Sequence, residues 1–160
     1  VSSRVLVALR VKATRERAFE VFTAEIGDWW RPSTLFAFTP RSPGMLSFET
    51  GPQGRLIEIL SNGKVFEIGA VRVWDPPRRL VFDWRQATFA PGQMTQVEVR
   101  FDAVGSETRV TVEHTGWDSV PASHVARHGW PETLFLRRHG EWWQSVLEGL
   151  SERILGGEGR

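Results

Sequence analysis

Two carboxylates, an imidazole and two neutral polar side chains could meet around a small molecule in this chain: Glu58, Glu67, His114, Gln86 and Thr95. Whether they meet depends on strand register. Asn62-Gly63 is a strong hairpin signal, and a two-residue turn there sets Leu60 against Val65, Glu58 against Glu67 and Leu56 against Gly69. The next turn, Asp75 to Arg78, sets Val73 against Leu80, Val71 against Phe82 and Gly69 against Trp84. Continued alternation brings Val97, Val99 and Phe101 beside Val110, Val112 and His114. The shared face is then apolar except at one end, where the glutamates oppose each other at ~5 Å between Cβ atoms. Two like charges on a covered face need a proton, a cation or water between them. Such a patch suits an amine or hydrogen-bond donor on a ligand, with Phe82, Trp84, Val97, Val99 and Trp143 as apolar walls. A slip of one residue turns both glutamates and His114 to water, so the cluster stands or falls as a unit.

Other chemistries have weaker grounds. His124 and His128 are spaced i, i+4, with Glu132 and His139 beyond, but Gly129-Trp130-Pro131 interrupts any helix that would align them as metal ligands. No Ser-His-Asp order, GxSxG, P-loop or GxGxxG is present, and the terminal Gly156-Gly157-Glu158-Gly159 is followed by no helix. No catalytic residue, metal ligand or cofactor is expected. The adjacent pairs Trp29-Trp30 and Trp142-Trp143 can each turn one ring to the core and one toward the surface or a cavity mouth. Trp74 and Trp117, near strand ends, are candidates for an exposed interaction surface.

The elements that must position these residues read clearly. Leu136, Trp143, Val146, Leu147, Leu150 and Ile154 recur at helical spacing over Pro131 to Leu155, with Glu141, Glu148, Glu152 and Arg153 opposite and Gly156-Gly157 as the stop. Val5, Val7, Leu9 and Val11 alternate as a strand; Thr14 can cap a helix bearing Ala18, Phe19, Val21 and Phe22, and Ile26, Trp29 and Trp30 extend it to Arg31-Pro32. From Arg41 to Thr115 the chain reads as strands and tight turns, and from Gly116 to Trp130 as a loop with one short helix. The order is one strand, two short helices, about six strands and a long helix. With no repeat or linker, residues 1–160 are expected to be one domain with an ordered core over about 3–155.

Composition narrows the function. A formal charge of +1 argues against a nucleic-acid partner held by phosphate contacts. No cysteine is present, so thiol and disulfide chemistry are excluded. No apolar run approaches a membrane span and the N-terminus alternates, so a cytoplasmic protein without a membrane partner is expected. Eight tryptophans and ten phenylalanines with no tyrosine point to large apolar contact surfaces.

The element order resembles the helix-grip fold of the START-like (Bet v I-like, SRPBCC) superfamily, an α+β architecture. Within it, Arg17 to Thr23, Trp29-Trp30, the run Trp74 to Trp84 with its Pro-Pro-Arg-Arg-Leu turn, and Glu113 to Trp117 resemble the family homologous to the activator of the heat-shock chaperone ATPase. The resemblance implies a curved antiparallel sheet of six to seven strands wrapped around the C-terminal helix, with two short helices after the first strand. It also implies a cavity that binds a hydrophobic or amphipathic small molecule. Members usually show Gly-Trp near the start of the last helix; here Glu141 separates Gly140 from Trp142-Trp143. Ligand binding without catalysis is the leading expectation. A cavity enzyme of the cyclase/aromatase or acid–base type, using His114 or a glutamate, is the first alternative, and a co-chaperone-like interaction module linked to stress response is the second. A homodimer and a chaperone partner are the protein associations left open.

Overall fold

The computed structural model describes residues 4–30, 37–39, 44–121 and 123–158. The alternating stretches form β1 (Val5–Val11), β2 (Met45–Phe48), β3 (Arg55–Ile59), β4 (Val65–Asp75), β5 (Arg79–Trp84), β6 (Thr95–Val104) and β7 (Glu107–Thr115). They pair antiparallel in one curved sheet in the order β1-β7-β6-β5-β4-β3-β2. Two short helices, α1 (Arg15–Ala24) and α2 (Ile26–Trp29), follow β1, and α3 (Glu132–Glu158) closes the helix-grip arrangement. The expected break at Arg31-Pro32 lies outside the described residues. Among the described residues, no helix is long and apolar enough to cross a membrane.

Local chemistry explains the boundaries. Thr14 caps α1, its hydroxyl accepting the Arg17 N–H at 3.2 Å. α3 begins at Glu132, and the Pro131 carbonyl accepts the Phe135 N–H. The expected stop at Gly156-Gly157 does not hold, because the helix runs on to Glu158. Glycine weakens a helix without forbidding it. The loop after β7 contains two 3₁₀ turns, Trp117–Ser119 and Val125–Arg127, where one short helix was expected.

Register decides which side chains face α3. β6 and β7 are joined through Gly105-Ser106 and keep strict alternation, so Val97 faces His114, Val99 faces Val112 and Phe101 faces Val110, as expected. The β3–β4 tip differs. Ile59, not Leu60, pairs with Val65, and Glu58 pairs with Phe66 while Glu67 pairs with Ile57. The tight turn expected here needs positive φ at both central residues. Gly63 provides it, at 83°, but Asn62 does not. Its side chain instead accepts the Lys64 N–H, and Leu60 N bonds Lys64 O across a longer loop. A bulge between Leu56 and Ile57 then restores the expected pairing of Leu56 with Gly69. A second irregularity between Val71 and Val73 sets Val73 against Val81 and Trp74 against Leu80. Val73 therefore leaves the inner face. Trp74 packs inward on Phe19 at 5.3 Å and Phe48 at 6.4 Å, contrary to the expectation of an exposed surface.

The core lies between the concave sheet and the helices. Trp143, Val146, Leu147, Leu150 and Ile154 of α3 meet Leu80, Phe82, Val99, Phe101, Val110 and Val112 of the sheet, with Phe19 and Phe22 of α1. A smaller cluster joins Trp117, Val120, Ala126 and Phe135, so Trp117 is also a core residue and not a surface one.

Candidate functional site

At one end of this apolar interior sits a polar knot. His114 projects from β7, Thr95 begins β6, Trp84 ends β5, and His139 and Trp143 stand four apart on one face of α3. All five are buried, and His114, His139, Trp84 and Trp143 expose no surface to water. The Trp143 indole N–H can only donate, and it lies 3.1 Å from His114 Nδ1. Nδ1 is therefore an acceptor, and the His114 proton must reside on Nε2. From there it is donated to Thr95 Oγ1 at 2.7 Å, and that hydroxyl donates to the Trp84 carbonyl at 3.2 Å. His139 Nε2 also lies 3.1 Å from His114 Nδ1, so it too must bring an N–H. Protonating His114 Nδ1 would set a new N–H against two others. Burial, with His139 beside it, holds the His114 imidazole well below its ordinary range. Burial, helped by His128, lowers His139 to about 3. Both histidines are neutral at physiological pH.

Around the knot the aromatic rings converge. Trp84 has Phe38 at 4.6 Å, His114 at 5.0 Å, Trp143 at 5.6 Å, Trp142 at 5.8 Å and Trp30 at 6.2 Å between ring centroids. Trp30 meets both Trp142 and Trp143 edge-on at 5.7 Å. Trp29 and Trp143 are buried, whereas Trp30 and Trp142 are half-buried, so each tandem pair divides between the deep interior and its rim.

The glutamates do not face each other, because of the register change at the β3–β4 tip. Glu58 points inward and is 2% exposed; its oxygens accept from Thr39 Oγ1 at 2.9 Å and the Gly44 N–H at 3.1 Å. Glu67 is on the other face, with a 42% exposed side chain and Arg55 at 3.3 Å. The opposed-carboxylate patch, and with it the reason to expect an amine, is thereby removed. Two other buried polar atoms lie on the inner side: Trp84 Nε1 and Gln86 Nε2 have no acceptor among the described residues. Phe82, Val97 and Val99 are inward and wholly buried, so their side chains are packed against protein and not against an open space. One residue beyond Gln86, Ala87 lines a groove of about 340 Å³ with Thr39, Leu60, Lys64 and Phe66.

Sequence reasoning missed His139 and Phe38 as members of this cluster, and gave Trp30 and Trp142 only as one ring of each tandem pair turned toward the surface or a cavity mouth. His139 was legible in part: it lies four residues after Phe135, four before Trp143 and seven before Val146, on the buried stripe of α3. The loop contact of Phe38 on Trp84 has no periodic signal in sequence.

The family model described as "Activator of Hsp90 ATPase homolog 1-like protein" matches residues 12–138. No curated protein matches the chain significantly. Among solved structures, the chain is similar to the anthrahydroquino-γ-pyrone synthase Txn09 complexed with SUM, at 30% identity, covering 92% of this chain and 86% of that one with a TM-score of 0.50. It is similar to DynU16, a putative protein in the dynemicin biosynthetic locus, at 18% identity and a TM-score of 0.66, covering 97% of this chain but 48% of that one. The Aha1 dimer from Colwellia psychrerythraea gives 14% identity, 94% and 95% coverage and a TM-score of 0.64. The last two show likeness of fold alone.

Proposed function

Because the chain belongs to the family of Activator of Hsp90 ATPase homolog 1-like proteins, we propose that it binds a small, apolar, flat-ringed molecule between its sheet and α3. The convergence of Trp30, Phe38, Trp84, Trp142 and Trp143 on one end of the interior carries this reading. Aromatic pairs add about 0.5–1.5 kcal/mol beyond the area they bury, and a planar ligand can exchange one such partner for another at little cost. Trp30 and Trp142, half-buried at the rim, are the rings a ligand would stack against.

The test is a titration of fluorene and larger planar hydrocarbons, followed by tryptophan emission and by melting temperature. Binding should quench the emission and raise the melting temperature as ligand exceeds its dissociation constant. Trp30→Ala should weaken binding about tenfold, the equivalent of one aromatic contact. A folded protein that shows neither change with any member of the set would end this reading.

Catalysis is the second reading, favoured by the 30% identity to a protein described as a synthase. The hydrogen bonds of His114 make it a poor base where it stands, since its Nδ1 lone pair is engaged by Trp143.

A further inference from the structure

Among the buried side-chain groups described at this end of the interior, N–H donors outnumber lone pairs, of which His139 Nδ1 is one. The Trp84 indole N–H is wholly buried, and the Gln86 amide N–H belongs to a side chain only 5% exposed; neither has an acceptor among the described residues. Trp84 ends β5 and Gln86 follows two residues on, the spacing at which an extended chain turns side chains to one side, and both are buried. The Trp143 N–H and the His139 N–H are directed at His114 Nδ1 and use up its only lone pair. Thr95 Oγ1 accepts from His114 and spends its own proton on the Trp84 carbonyl. Among the described residues, the carboxylate on this face is Glu58, and it is bonded to Thr39 Oγ1 and the Gly44 N–H. Glu67 lies on the outer face beside Arg55. The adjoining groove, which Ala87 and Thr39 line, carries Lys64 and no carboxylate among its described residues.

A buried donor left unmatched is costly, and a ligand acceptor would recover that cost. A cation placed against the Trp84 and Gln86 N–H groups would meet partial charge of its own sign, with the Glu58 carboxylate already bonded to Thr39 and Gly44. We propose that Trp84 and Gln86 set the specificity of this site for uncharged planar ligands bearing a hydrogen-bond acceptor, of the aryl ketone, quinone or lactone class, and against amines. The inference rests on the ligand-binding reading above. It reverses the ligand polarity that an opposed pair of glutamates would select.

Three probes of one shape separate the terms: fluorene, fluorenone, and fluorene carrying an amine on its methylene carbon, which is protonated at neutral pH. The parent protein should bind fluorenone about tenfold more tightly than fluorene, as one recovered hydrogen bond implies. The amine should bind more weakly than fluorene. Gln86→Leu keeps the size and removes the donor, so it should leave fluorene affinity nearly unchanged and cut the fluorenone preference at least threefold. The ketone stretch of bound fluorenone should fall to lower frequency in the parent and move back toward its free value in the variant. Equal binding of fluorene and fluorenone, or a preference for the amine, would overturn the specificity while leaving ligand binding intact. Failure of all three to bind removes both. The probe series on the parent alone decides the matter if Gln86→Leu does not fold.

Discussion

At the scale of single residues, the neutral histidine pair ties stability to pH with a definite sign. In the unfolded chain each imidazole takes up a proton near pH 6.5, whereas folded His139 resists until about pH 3 and folded His114 is also held low. Between those limits the unfolded state carries more protons, so stability is complete above pH 6.5 and is lost as pH falls. The loss is about 1.4 kcal/mol per pH unit for each histidine. The window is separable from carboxylate effects, because Glu25, Glu49 and Glu98 are all held below the usual carboxylate range. Urea unfolding of the parent and of His139→Leu at about pH 7.5 and pH 5.5 measures this, and the parent should lose about 1.4 kcal/mol more than the variant between the two pH values. A parent whose stability rises on acidification would show that the pair is charged in the fold. The burial of Val99 has a different consequence at this scale. A tryptophan there would not plug an open space but would overfill a packed one, costing about 1–3 kcal/mol or more. Gln86→Leu is therefore the cleaner probe of the site.

At the scale of elements, one glycine is required by a close backbone approach and another is not. A Cβ on Gly69 of β4 would fall 1.7 Å from the Asp83 carbonyl oxygen of β5, which no side-chain rotation can relieve. Gly69→Ala should cost about 3 kcal/mol in chemical denaturation. Gly140 of α3 faces β1, and an added Cβ would rest at ordinary contact distances of 3.7 and 3.9 Å from Val5 and Val7. Gly140→Ala should therefore stabilise the protein by about 0.5–1 kcal/mol, the helix propensity gained without strain. If Gly140→Ala destabilises, β1 and α3 are closer than these distances allow. The elements also show why some of the site was legible and some was not. The β6–β7 register, and hence the inward aim of His114, follows from alternation continued across a two-residue turn. The long helix and its buried stripe follow from spacing. Glu67 could not be placed because its orientation depends on whether Asn62 adopts positive φ and on where a bulge absorbs the change, and alternation encodes neither. Phe38 joins the site through tertiary approach alone, which no window along the sequence contains, and helical spacing places His139 on the buried stripe without showing that it meets His114.

At the scale of the molecule, the sheet is a meander from β2 to β7, with β1 added beyond β7. Strands adjacent in sequence are adjacent in space everywhere but at that seam. Arg4 and Glu113, which bond across it, are 109 residues apart in sequence. Closing so long a loop carries an entropic cost that the contacts it brings must offset. β1 also supplies Val5 to the core, and α3 packs over it through Gly140. The order of events during folding follows from this. The meander can assemble from local hairpins, while the first strand and the last helix have to wait for each other. Refolding followed by stopped flow should give early hairpin signals and a slower step, in the range of milliseconds to seconds, in which β1 docks and the tryptophan cluster reaches its final emission. Trimming residues before Ala13 should abolish that slow step rather than accelerate it. On this expectation the interior that holds the candidate ligand site is completed last, and a molecule present at that moment could be enclosed without any later opening.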